Sequence, residues 1–315
     1  LQHVAVAERD VVRLGGIVAI GEPLPQQLLP APGEDPEPRP RGDGDDPVGA
    51  GLVTGGQERA AEVAADHLHG GPGDRLAGTI THGATDLGAV AIEAAVQRAS
   101  IQKESVNEVI MGQVLPCGYG QNPARQAAVK AGLPWETECF TVNKVCGSAL
   151  KAVMLAAQAI QLGDAEVVVA GGMENMSMAP FYLEKARFGY RMGAGKLQDH
   201  MIQDGLWDIV NDIHMGMSNE LCSERYNVSR KDQDRYAAES YRRCLAAIEA
   251  GKFRDEIVPV EISQRKGDPL VFDRDECPRD TTYEFLAKMK PAFKQDGVGT
   301  AGNAVSYTHL RAHET

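Results

Sequence analysis

The sequence predicts an α/β fold for residues 76 to 304, a mostly parallel sheet covered by helices. Short apolar runs of strand length alternate there with segments whose apolar residues repeat at helical spacing. Residues that start helices and glycines that end them punctuate the segments. Strand and helix in alternation are the pattern of a parallel sheet with covered faces.

Taken in order, "ATDLGAVAIEAAVQRAS" predicts a helix with Thr85 as N-cap and Leu87, Val90, Ala91, Ala94 and Ala95 on its apolar face. "NEVIMGQVL" reads as a strand. "QNPARQAAVKAG" places Asn122 at a cap, Pro123 at the first helical position and Gly132 beyond the end. "ECFTVN" is a strand leading to Cys146, after which Leu150, Val153, Met154, Ala157 and Ile160 predict a helix face. "AEVVVAGG" reads as a buried strand, with Gly171 and Gly172 allowing a tight backbone turn at its end.

Beyond Gly172 the alternation stops, and residues 177 to 215 show no clean period. A helix then starts at Ser229, whose "SRKD" sets an acid at the capping-box position. Ala237, Tyr241, Cys244, Leu245 and Ile248 line its face and Gly251 ends it. "EIVPVEI" predicts an edge strand, because proline cannot donate to a ladder. This second part reads as an insertion or lid on the first.

Residues 1 to 75 differ in kind. They hold 9 of the 17 prolines and no Lys, Ser or Asn. Such a composition buries little, so disorder is expected; translation of GC-rich DNA in another frame is the favoured reading of the bias. "GGIVAIGEP" could form an isolated strand, with nothing nearby expected to pair with it. "VSYTHLRAHET", at residues 305 to 315, reads as an adapter-like tail.

The net charge of −12 argues against a nucleic-acid partner. No run of about 18 apolar residues is expected to cross a membrane. Six cysteines without Cys-x-x-Cys pairs favour reduced, cytoplasmic thiols over disulfides or a metal site. Of these, Cys146 precedes a predicted helix. Unpaired amides and partial positive charge at a helix start favour a thiolate, and such thiolates attack thioester carbons. The alternative is a small residue filling a strand–helix junction.

"NKVCGSALKAV", "VVVAGGMENMSMAP", "GQNPARQAA", "IHMG" and "AGNA" together resemble the thiolase family, in its acetyl-CoA acetyltransferase branch. The resemblance covers residues 76 to 304. It implies a layered α-β-α-β-α fold, with only its amino-terminal half (76–176) and a loop domain (177–304) present. It implies that Cys146 is the nucleophile, taking an acetyl group from acetyl-CoA, or an acyl group from 3-ketoacyl-CoA, as a thioester. Coenzyme A thioesters are then substrates, and no cofactor or metal is expected. His214, Met215 and Leu206 match contacts to the pantetheine arm, and Phe293 and Ala301 match the lining of its tunnel. Arg279 matches a basic residue near the adenine nucleotide; a solvated surface charge is the alternative. Homodimers or homotetramers are implied.

The chain also departs from the family pattern. The family's first strand is absent upstream of "GTITHGATDLG", and residues 1 to 75 are expected to offer no replacement. Asn-Glu-Ala, Gly-His-Pro and Cys-x-Gly-Gly-Gly motifs are missing, and with them the histidine and second cysteine that complete the reaction. Neither Cys222 nor Cys277 precedes a glycine run. The chain as written is therefore expected to be inactive in turnover. A ketoacyl-synthase-like condensing enzyme and a truncated product without activity are the alternatives.

Overall fold

The computed structural model describes residues 11–14, 17–21, 82–264, 266–275 and 278–304. The expectations for residues 22 to 75, for the tail from 305 and for Cys277 lie outside the described residues. Among the described residues five strands form the main sheet: β1 (Val11–Leu14), β2 (Ile17–Gly21), β3 (Glu108–Gly112), β4 (Glu138–Val142) and β5 (Val167–Gly172). Their order is β1-β2-β5-β3-β4. Pairs β3–β4 and β3–β5 are parallel, whereas β1–β2 and β2–β5 are antiparallel. The sheet is thus mixed rather than mostly parallel.

The antiparallel part corrects the expectation that nothing upstream pairs with the α/β region. Val18 to Gly21 run opposite Ala170 to Val167 along β5. Strand pairing runs through backbone groups, so an uncharged Ile-Val-Ala-Ile segment of high β-propensity can fill an edge without matching the family's strand.

Helix α1 (Ala84–Arg98) packs on α2 (Pro123–Lys130) and on the sheet. Its N-cap is Gly83, not Thr85, which lies buried inside the first turn. The acid at the third position decides this: Asp86 Oδ2 accepts the Gly83 N–H at 2.8 Å. The α2 prediction is met, with Asn122 Oδ1 accepting from Arg125 N–H and Gly132 at φ +79° past the end. Val109, Met111 and Val169 close a core with Ile92, Ala95 and Val96 of α1.

Helix α3 (Ser148–Leu162) covers the other face, against Ile110, Val168 and Ala170. Its buried stripe is Ala149, Ala152, Ala156 and Ile160, not the larger set the sequence suggests. Met154 is 47% and Leu162 76% exposed, and Leu150, Val153 and Ala157 lie between. Close approach selects the small residues. A Cβ on Gly112 would stand 2.6 Å from the Ala149 nitrogen, and one on Gly172 2.8 Å from the Ala149 Cβ. Gly172 therefore ends β5 to admit a helix rather than to make a turn. Contrary to expectation, the 18 residues Val145–Leu162 are long and apolar enough by composition to cross a membrane; here they cover a sheet.

Among its described residues the second region contains three two-stranded ribbons, β6–β7 (Phe181–Tyr182, Gln198–Asp199), β8–β9 (Trp207–Asp208, Ile213–His214) and β10–β11 (Val260–Ile262, Leu270–Phe272). Its helices are α4 (Met215–Tyr226), α5 (Arg230–Glu249) and α6 (Tyr283–Leu286). Strand β10 starts after Pro259, so the proline bounds the strand instead of lying inside it. Ser229 caps α5 as predicted, its Oγ 3.2 Å from Asp232 N, and Ala237, Tyr241 and Cys244 are buried.

Candidate active site

Cys146 lies in the loop between β4 and α3, exposed, one residue before the helix N-cap Gly147. The loop is tightly tied. Ser148 Oγ accepts the Lys144 N–H at 2.8 Å and donates to the Val145 carbonyl at 2.5 Å. Asn143 Oδ1 accepts the Val145 N–H at 2.9 Å, and Val145 sits at φ +48°, a strained setting for a β-branched residue. The amides of Gly147 and Ser148 donate to the carbonyls of Lys144 and Val145. The amides of the two residues that follow Cys146 are therefore spent on the loop, contrary to the expectation of open donors there. What α3 supplies at Cys146 is the positive end of its dipole.

A second cluster gathers most of the other predicted residues. His214, on β9, faces Trp207 in register, and its ring stacks on Phe293 with centroids 5.5 Å apart. Its Nδ1 accepts the Gly216 N–H at 3.0 Å, capping α4. Gly216 makes the stack feasible, since a Cβ there would lie 2.0 Å from the Phe293 ring. Met215 is 42% exposed beside them. Leu206 ends a single π-helical turn, Met201–Leu206, half-buried before Trp207. Gly205 next to it backs onto Leu115, on the loop that follows β3.

Ala301 is exposed in the turn 300–304, two residues after Gly299, whose added Cβ would lie 3.2 Å from the Phe293 ring. Buried Glu220 holds the preceding segment: its carboxylate accepts Val298 N–H at 2.9 Å and Gly299 N–H at 2.8 Å. Asn303 Nδ2 bonds Asp234 Oδ1 at 3.0 Å, and Asp234 pairs with Arg230 at 2.7 Å. Removing a buried acceptor strands its donors, so Glu220→Ala is expected to cost about 2 kcal/mol or more. A urea midpoint compared with that of Glu220→Gln, which keeps one acceptor oxygen, will measure it.

Arg279 is exposed and lines a different concavity. This cavity of about 560 Å³ lies along α5, with Arg235, Arg242 and Tyr283 on its walls and none of the other predicted site residues. Arg242 and Arg243 grip Glu239 there and hold its carboxyl down at about 2.

Sequence reasoning missed Glu174. It follows the glycine-ended strand β5, and its Oε2 accepts the Val114 and Leu115 amides at 2.7 and 3.2 Å. Burial pushes it up to about 7, against the pull of those amides and of Gln113. Glu174 Oε1 and Gln113 Oε1 are both sealed from solvent without a well-aligned partner. An acid inside the apolar run "VVVAGGMEN" was the available signal. Because the folded value lies above the ordinary 4.5, the folded chain binds this proton more tightly between the two values. Stability from this group is fully present below about pH 4.5 and is lost as pH rises through about 7. Relative to Glu174→Gln, the chain is expected to lose about 2 to 3 kcal/mol between about pH 5 and 8, read from denaturant midpoints.

Residues 76–308 match the family model described as the thiolase N-terminal domain. An acetyl-CoA acetyltransferase of Pseudomonas aeruginosa is 58% identical over 224 residues, covering 71% of this chain and 57% of that protein. One from Cupriavidus necator is 57% identical over 222 residues, covering 70% of this chain and 56% of its own length. The crystal structure of the Bacillus anthracis acetyl-CoA acetyltransferase superposes with a TM-score of 0.69 at 40% identity, covering 74% of this chain and 58% of that one. The chain thus spans a little over half the length of the curated relatives it matches.

Proposed function

This chain belongs to the thiolase family, with that family's α/β fold, and from that premise we propose that it carries the nucleophile of an acetyl-CoA C-acetyltransferase. The observation that supports this most is the placement of Cys146. Its thiol is exposed at the positive end of a fifteen-residue helix, whose first turn is pressed onto the carboxyl ends of β3 and β5. Ligands of open α/β sheets bind at such edges.

In the proposed reaction the Cys146 thiolate attacks the carbonyl carbon of acetyl-CoA. The carbon–sulfur bond to coenzyme A breaks, and that sulfur leaves as the thiol after taking up a proton. One thioester replaces another, so the step is close to balanced and reversible. Cysteine is well suited, being intrinsically nucleophilic as a thiolate. His214, Met215, Leu206, Phe293 and Ala301 are the proposed lining for the pantetheine arm, an apolar slot with one imidazole. Arg279 is the proposed partner for the nucleotide phosphates, in a cavity whose walls carry Arg235 and Arg242 but also Glu239, Glu249 and Asp280.

Condensation of the acyl-enzyme with a second acetyl-CoA needs a base for the methyl proton. The Gly-His-Pro histidine and second motif cysteine that the resemblance assigns to this work are not in these 315 residues. We propose that the chain as written stops at the acyl-thiol, without acetoacetyl-CoA turnover. The thiolase match favours this reading over the ketoacyl-synthase alternative. A reducing cytoplasmic compartment and a homodimeric or homotetrameric assembly complete the proposal.

The test is peptide-resolved mass spectrometry after a pulse of acetyl-CoA. One acetyl group on the Cys146 peptide, removed on adding free coenzyme A, is the expected result. An unmodified Cys146 alongside acetylation elsewhere would refute it.

A further inference from the structure

A relay of polar contacts connects the sheet to the Cys146 loop. Glu174 leaves β5 and reaches the chain that leaves β3, where one oxygen, Oε2, accepts both the Val114 and the Leu115 amide. The Val114 carbonyl accepts from Asn143 Nδ2 at 3.4 Å. The other end of that amide, Asn143 Oδ1, takes the Val145 N–H at 2.9 Å. Val145 is joined to Cys146 and carries the positive φ of the loop. A β-branched residue does not hold that conformation unless its surroundings impose it. The relay is one such constraint, and Ser148 supplies another from the helix side.

We propose that Glu174 is a positioning residue for the nucleophile loop, holding Cys146 in place through Val114, Asn143 and Val145. The proposal rests on the reading of Cys146 as the acyl acceptor. Both amides bond to the same carboxyl oxygen, so protonation at Oε1 leaves the relay intact. The acid is thus used for its acceptor geometry, and an amide oxygen in the same place serves equally.

The test uses Glu174→Ala, Glu174→Gln and Asn143→Ala in the full chain, each pulsed with iodoacetamide and read peptide by peptide. Cys222, exposed on α4, and Cys244, buried on α5, are internal references. Glu174→Ala and Asn143→Ala are expected to slow Cys146 about ten-fold relative to Cys222, because attack through that thiol depends on its being held at the positive end of α3. Cys244 stays protected in both. Glu174→Gln is expected to stay within about two-fold of the unsubstituted chain, since its oxygen accepts the same two amides. An acetyl-CoA pulse read at Cys146 should rank the variants in the same order.

An unchanged Cys146 to Cys222 ratio in Glu174→Ala overturns the proposal, as does a glutamine variant as slow as the alanine one. If Glu174→Ala unmasks Cys244, it has lost its fold, and Asn143→Ala decides: an unchanged Cys146 rate there overturns the relay. Should the alkylation order hold while no acetyl group reaches Cys146 in the unsubstituted chain, the positioning role stands and the thiolase assignment of that thiol falls.

Discussion

Cys146→Ala is expected to reduce acetylation of the chain by acetyl-CoA to background, with no compensating label on the other exposed thiols. Cys117 and Cys222 are exposed as well, so access to reagent does not set Cys146 apart. Position does. Cys222 projects from within α4, and Cys117 lies in a loop whose N–H donates to His200 Nε2 at 3.4 Å. Only Cys146 among these three stands at the amino end of a long helix, where the aligned peptide dipoles place a partial positive charge. Comparable acetylation of Cys117 or Cys222 in the alanine variant would mean that the label follows exposure alone.

Gly112→Ala is expected to destabilise the chain by about 3 kcal/mol or more. The added methyl would stand 2.6 Å from both the Ala149 nitrogen and the Ser148 carbonyl carbon, and 2.8 Å from the Ser148 Cβ. Two of these neighbours are backbone atoms of the first turn of α3, which cannot rotate away as a side chain would. The helix start has to lift from the sheet, taking the Ser148 hydroxyl and its two bonds in the Cys146 loop with it. Chemical denaturation will read the loss of stability, and iodoacetamide reactivity of Cys146 the loss of placement. Gly163→Ala, at the C-cap of α3, is a control for glycine replacement away from that contact; it has open space around it and only its positive φ opposes the change.

Those features of the fold that depend on a few consecutive residues were legible in the sequence. Asn122-Pro123 and Ser229 to Asp232 carry their caps within one turn, and β3, β4 and β5 lie where the apolar runs placed them. Gly83 displaced Thr85 because Asp86 lies three residues after the glycine, a contest between two adjacent starts. The face of α3 was misread for a different reason. Periodicity weights large apolar side chains, whereas Gly112 and Gly172 bring the backbones so close that only alanines fit. The pairing of β2 with β5 joins residues about 150 apart, and no local pattern announces it.

The site divides along the same line. The place of Cys146 just before a helix could be read from its neighbours, and the family resemblance named both His214 and Phe293, which stack. Glu174 could not be assigned a role, because its role depends on amides from a loop some sixty residues earlier. Arg279 illustrates the reverse: a single charge on paper, it shares its cavity with Arg235 and Arg242 of α5 and with Glu239, Glu249 and Asp280.

Seating α3 by its alanine edge leaves Met154 and Leu162 turned toward water. Each is a point of oily surface whose attraction for other such surfaces strengthens on warming, since the release of hydration water drives it. Any association through that side of α3 is therefore expected to weaken on cooling and to tighten on moderate warming.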